Sequence, residues 1–290
     1  MKKSTSHDRI NHIAKITGAK SYLEIGVRNG DTFFKVDIER KVAVDPLFGF
    51  NIDTVKNDST CFYQIASDQF FNELDVDNIF LPWISKGTCP TFDIIFIDGL
   101  HTFEQSFRDF KNSLRFSHDN TVWLLDDTIP CDPYSALPDA DLALEIRKWA
   151  GIKGKSWHGD VFKTVFAIHD FFPQFAYCTL MGGNPQTVLK KTKTSSRKAI
   201  FNSENEIKKL SYFDMLSYAW VFAPVDDEFL DIMLSKNIEV DEFKNTVSWK
   251  RLIYSDIFCH NRNMVEKIIH KYDTQGFGAV VLAAVKRLSK

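Results

Sequence analysis

The chain of 290 residues lacks a CxxC pair, and its five cysteines (Cys61, Cys89, Cys131, Cys178 and Cys259) are odd in number and widely scattered. That argues against a disulfide framework or a zinc knuckle and favours a reducing cytoplasm. A strong charge of one sign is missing as well: 36 basic residues stand against 38 acidic ones, so nothing global favours nucleic acid or an anionic membrane as partner. After Met1-Lys2-Lys3 comes Ser4-Thr5-Ser6-His7 in place of the apolar core of a secretory signal. No later run approaches the ~20 apolar residues of a membrane span, and no internal repeat is visible. What remains is a soluble globular chain, 44% hydrophobic, long enough for one large core or for a core with an appendage.

Two strings stand out. Phe92-Asp93-Ile94-Ile95-Phe96-Ile97 runs into Asp98-Gly99-Leu100-His101, and Thr121-Val122-Trp123-Leu124-Leu125 runs into Asp126-Asp127-Thr128. Continuous apolar runs are the mark of strands buried on both faces, and in open α/β sheets ligands gather beyond the carboxyl ends of such strands. Chemistry is therefore expected near Asp98, His101, Asp126 and Asp127. Adjacent carboxylates repel and resist burial unless a cation or a hydrogen-bond donor compensates them, and a divalent metal would do so.

Other short apolar segments complete a sheet: Ser21 to Ile25, Lys41 to Val44 ending in Asp45, and Cys61 to Ala66 ending in Ser67-Asp68. Strands that alternate with helical patterns predict an α/β fold with a doubly wound, mostly parallel sheet. Ile10, Ile13, Ala14 and Ile16 predict a leading helix stopped by Gly18, and the turn from Gly26 to Thr32 is expected to open a second helix. Phe103, Phe107, Phe110 and Leu114 lie on one face of a helix and read as packing. Residues 129–157, with three prolines and an acidic cluster, read as a lid over the site. Within it Asp132, Tyr134, Asp139 and Asp141 read as a solvated acidic loop, with contact to a polyhydroxylated substrate as the alternative.

Phe175 to Leu180 and Gln186 to Leu189 read as two closing strands. A polar, basic stretch from Lys190 reads as a linker, dividing the chain into residues 1–191 and a helical region 192–290 for oligomerisation, substrate or partner binding. The last helix, around Val280 to Leu288, would lie in a dimer interface or on a membrane surface. His169 and His260 read as packing residues, and Asp160 as a helix N-cap.

Gly26 and Gly30 let the backbone come close to a ligand, and Asp45, about twenty residues further on, can accept hydrogen bonds from ribose hydroxyls. These features suit NAD or S-adenosylmethionine. The motif Glu24-x-Gly26-x-x-x-Gly30, with Arg28 where a dinucleotide fingerprint has its second glycine, resembles the class I S-adenosylmethionine-dependent methyltransferases, and the resemblance runs from about Tyr22 to Lys191. It implies that Glu24, Gly26, Asn29, Gly30 and Thr32 surround the amino-acid part of the cofactor, Asp45 the ribose, and Ser67 and Asp68 the adenine, with Asp98 at the cofactor's edge.

Within that superfamily the acids resemble the metal-dependent O-methyltransferases of catechols and macrolide sugars. By this likeness Asp98, Asp126 and Asp127 hold Mg²⁺, with Mn²⁺ or Ca²⁺ as substitutes, and His101, three positions after the first acid, is the base. The implied substrate is a hydroxylated small molecule or glycan, and a homo-oligomer through the C-terminal helices is a further expectation. A hydroxyl attacks a methylsulfonium only when a base or a cation helps it ionise, so the chemistry and the residue types agree. Two alternatives stand beside it: a cephalosporin hydroxylase-like reaction on the same scaffold, and a non-catalytic cofactor-binding subunit.

Overall fold

The structure, a computed structural model, describes residues 4–75, 81–84, 89–152, 154, 156–192 and 197–235. The expectations for Cys259, His260 and the Val280 to Leu288 helix lie outside these residues.

Strands β1 (Ser21–Ile25), β2 (Arg40–Val44), β3 (Thr60–Tyr63), β4 (Phe92–Ile97), β5 (Ser117–Leu125), β6 (Phe175–Leu180), β7 (Gln186–Lys191) and β8 (Pro224–Val225) form one sheet. The order is β3-β2-β1-β4-β5-β7-β6-β8, and only β7 runs antiparallel to its neighbours. This is the doubly wound, mostly parallel α/β sheet expected from the sequence. Helices α1 (Ser6–Thr17), α2 (Ser67–Asp75), α3 (Phe103–Ser113), α4 (Ala140–Trp149), α5 (Phe162–Phe171), α6 (Glu204–Lys208), α7 (Tyr212–Ser217) and α8 (Leu230–Ser235) pack around it. None of the described helices is long and apolar enough to cross a membrane.

Local chemistry sets the ends of these elements. Thr5 and Asp8 make a reciprocal capping box at the start of α1, and Gly18, at φ +71°, ends it in the left-handed region. The predicted aromatic stripe of α3 is packing: Phe103, Phe107 and Phe110 are buried, and Phe110 meets the rings of Trp123 and Phe175.

The helix expected after the glycine turn does not form. Between β1 and β2 the chain holds only one 3₁₀ turn, Phe33–Lys35. Lys41 Nζ donates to the carbonyls of Phe33 and Val36, each at 2.9 Å, and Phe33, Phe34, Phe48, Phe50 and Phe62 pack there as one aromatic cluster in place of a helix.

At the other edge, β7 continues through Lys190 and Lys191, expected as linker, because their backbones still pair with Ala176 and Phe175. Residues 197–235 supply three helices and also β8, which pairs with the end of β6.

Candidate active site

The carboxyl ends of β1, β2 and β4 meet at the glycine turn, and the end of β5 lies beside that of β4. Gly26 sits at φ +89°, and a Cβ there would overlap the carbonyl of Asp98, so glycine is what lets the first turn close against the end of β4. Its amide donates to the Val44 carbonyl at 2.9 Å. Asp45 then fixes the rim: Oδ2 accepts from the Arg28 amide at 2.8 Å and Oδ1 from the Leu47 amide at 2.7 Å. Arg28, the departure from the glycine-rich motif, is exposed and left-handed at φ +46°, a conformation that this bond to Asp45 helps hold.

The other residues of the cofactor set fall around this turn. Asn29 lies against Gly49, and the Gly30 backbone against the Phe34 ring. Thr32 precedes the 3₁₀ turn without a side-chain cap. Glu24 is buried in β1 and accepts from the Tyr22 hydroxyl at 2.6 Å. Burial pushes its carboxyl well above the usual range, as expected for an acid that waits for a cationic group.

Ser67 and Asp68 begin α2 and are tied to α3. Gln105 Nε2 donates to Ser67 Oγ at 3.1 Å, and Arg108 pairs with Asp68 at 2.7 Å. Beneath them Asp109, fully buried, accepts from Gln105 at 3.0 Å, and burial pushes it up to about 6. Sequence reasoning missed Asp109, since its helical spacing reads as surface.

The acids and the imidazole do come together. His101 Nε2 is 3.4 Å from Asp98 Oδ1, and Nδ1 is 3.0 Å from both Asp127 Oδ2 and the Trp157 carbonyl. The Trp157 ring stacks on the imidazole, with centroids 5.0 Å apart. Gly159 permits this closeness, because a Cβ there would overlap the His101 carbonyl.

Among the described residues, Asp98, His101 and Asp127 offer three ligand atoms within 4.8 Å of one another. Asp126, more deeply buried, turns its Oδ1 to the Asp127 amide at 2.8 Å and to Asn184 Nδ2 at 2.6 Å. Asn184, in the turn between β6 and β7, also missed the sequence reading because nothing local links it to the acids.

Charge explains the arrangement. Burial first, and Asp126 second, push Asp98 up to about 7, and burial with Asp127 does the same to Asp126. Asp127 rises to about 6 through burial, with His101 opposing. Burial works against charge on His101, but Asp98 and Asp127 outweigh it and lift the ring to about 9. The imidazolium thus stands where a cation is needed. His158, whose Nε2 is 3.8 Å from Asp127, is driven down to about 4 by burial and then by His101.

The donor set fits a hard divalent cation, since carboxylate oxygens predominate, crowd one another and keep a path to solvent at Asp98, whose side chain is 29% exposed.

The weaker sequence candidates settle into structure. Asp132 pairs with the buried Arg147, and Asp139 caps α4. Asp160 caps not its own helix but α3, accepting from the Phe103 amide at 2.7 Å, with Lys163 at 2.8 Å on its other oxygen. His169 is buried and meets the Tyr177 hydroxyl at 2.7 Å.

Residues 23–128 match the family model of a methyltransferase domain. No curated protein matches the chain. Solved structures with a similar fold include an O-methyltransferase from Bacillus cereus in complex with SAH, at 15% identity over 66% of this chain and 84% of that one, with a TM-score of 0.42. Another is a putative caffeoyl-CoA O-methyltransferase from Staphylococcus aureus, at 14% identity over 66% and 85%, with a TM-score of 0.44. A third is an N-methyltransferase from Bradyrhizobium japonicum, at 12% identity over 64% and 96%, with a TM-score of 0.36. Over residues 23–128, which hold the glycine turn, Asp45 and the acids that follow β4 and β5, the chain is thus similar to methyltransferase domains.

Proposed function

We propose that the domain transfers the methyl group of S-adenosylmethionine to a hydroxyl oxygen of a sugar, glycan or related small molecule, with Mg²⁺ held by Asp98, Asp126 and Asp127. The observation that carries this reading is the convergence of Asp98, His101 and Asp127 within 4.8 Å, beside the glycine turn that the cofactor would occupy. In this reading Glu24 receives the ammonium of the cofactor, the backbone from Gly26 to Thr32 lies along its amino-acid part, Asp45 takes the ribose and Ser67 with Asp68 border the adenine.

A bound Mg²⁺ would supply positive charge that favours the ionised form of the acceptor hydroxyl. The chain's own residues do the rest. The sulfur–methyl bond breaks as the oxygen–methyl bond forms, S-adenosylhomocysteine leaves, and the hydroxyl proton passes to His101. His101 can take that proton only once neutral, and charge neutralisation at Asp98 and Asp127 removes the field that holds the ring protonated. The Trp157 ring stacks on the imidazole and its carbonyl meets Nδ1, which keeps Nε2 turned toward Asp98.

Labelled cofactor offered with a panel of nucleotide sugars and glycans is the test. The expected result is a product heavier by one methyl, and its loss, by three or more orders of magnitude, in EDTA or in Asp127→Ala while S-adenosylhomocysteine still binds. Full turnover in EDTA would overturn the metal role.

A further inference from the structure

Asn184 is exposed at the turn 181–185, yet its side chain reaches back to the acids, donating from Nδ2 to Asp126 Oδ1 at 2.6 Å and to Asp127 Oδ1 at 3.2 Å. The turn that carries it is held from far away in sequence. Arg9 of α1, only 2% exposed, donates from Nη1 to the Asn184 carbonyl at 2.6 Å and to Gln186 Oε1 at 2.8 Å. From Nη2 it reaches the Gly182 carbonyl at 2.6 Å and Asp227 Oδ1 at 2.9 Å, and from Nε it reaches Asp227 Oδ2 at 3.3 Å. Asp227 in turn accepts from the Gly182 amide at 3.3 Å. A planar guanidinium with every face of its fork used defines one position for the turn, as a lysine ammonium would not.

We propose that Asn184 is a positioning residue of the acid cluster, and that the buried Arg9–Asp227 pair holds it there. The proposal rests on the reading of the cluster as a divalent-cation site. Asp126 and Asp127 are adjacent like charges, with Asp127 in the left-handed region at φ +54°, so without a donor they would turn apart. One amide nitrogen with two hydrogens bridges both. Being neutral, it fixes their geometry without supplying a countercharge of its own. Gly183 completes the device: at φ +101° it brings the turn against the Ser4 carbonyl, and Gln186 Nε2 donates to Ser6 Oγ at 2.7 Å. Residues before the first strand and after the last one thereby act on a site that neither of them touches.

The experiment titrates Mn²⁺ into the full chain and follows the free ion by electron paramagnetic resonance, with thermal unfolding measured in parallel. Partners that orient metal ligands typically change affinity 10–100-fold, so Asn184→Ala is expected to weaken Mn²⁺ binding about tenfold at an unchanged melting temperature. Arg9→Lys, and Asp227→Asn should Arg9→Lys fail to fold, are expected to weaken Mn²⁺ in the same direction. Wild-type affinity in Asn184→Ala would overturn the role of Asn184. A lower melting temperature with unchanged affinity in the clamp variants would overturn the role of the clamp. A wild-type chain that binds no Mn²⁺ would overturn the cation reading itself, and the proposal with it.

Discussion

The two sides of the cleft are built on different principles. On the side of β1 and β2, backbone does the work: Gly26 closes against Asp98, and both oxygens of Asp45 are taken by the amides of Arg28 and Leu47. On the side of β4 and β5, charge accumulates: three carboxylates and an imidazole lie together, each pushed away from its ordinary pKa. The first side is complete as it stands and needs only a ligand of the right shape. The second is electrostatically unfinished, with carboxylates crowded and buried beside one imidazole, a pattern that clusters at functional sites. Substitutions among the acids therefore change charge while leaving the backbone in place, whereas substitutions in the glycine turn disturb the fold itself.

Gly26→Ala breaks the comparison most severely, because this residue belongs to both sides. A Cβ at φ +89° is strained and overlaps the Asp98 carbonyl, so β1 and β4 must part. A loss of stability above ~1 kcal/mol is expected, with cofactor binding abolished. Thermal unfolding and calorimetry with S-adenosylhomocysteine check it, and a stable variant that binds normally would show that the turn is not where the cofactor lies.

The same contrast decides what was legible in the sequence. Strands β1, β4 and β6 were legible to the residue, because burial on both faces leaves a run in which apolar residues predominate. The acids were legible because they end such runs. Asp160 was legible as a cap but not as the cap of α3, 57 positions earlier in the chain. Asn184 and Arg9 were not legible, since their meaning lies in bonds spanning 58 and 175 positions. The missing helix after Gly30 was hidden for a different reason: aromatic side chains cluster there instead, and phenylalanines read alike in a helix or a 3₁₀ turn. Local pattern shows where charge collects, and tertiary contacts decide what holds it.

Stability against pH sharpens the charged side next. Asp98, Asp126 and Asp127 have folded pKa values of about 7, 7 and 6, raised above an unfolded value near ~3.9. For each, the stabilisation is full below the unfolded pKa and is lost as pH rises through the folded one. His101, raised to about 9, has the same sign, its share being full below ~6.5 and lost as pH rises through 9. All four therefore predict a melting temperature that falls from about pH 4 to pH 9 in EDTA. The fall should be shallower in Asp98→Asn. Mg²⁺ should raise the melting temperature more at pH 8 than at pH 5, since only ionised carboxylates bind it. Parallel curves for wild type and Asp98→Asn would mean that the cluster carries no such charge.

Asp45→Asn tests the backbone side with the smallest change. The amide keeps one acceptor oxygen, so only one of the bonds from Arg28 and Leu47 survives, and Arg28 loses part of what holds it left-handed. If Asp45 also receives the ribose, the variant loses a charged acceptor there. Cofactor affinity should fall by about tenfold, in the range of one charge-assisted hydrogen bond. Mn²⁺ affinity, which the proposed site places on Asp98, Asp126 and Asp127, should stay as in wild type. The two sides would then be separable by experiment as they are in geometry, whereas equal losses of cofactor and cation would show that Asp45 acts through Asp98 and that the cleft is one electrostatic unit.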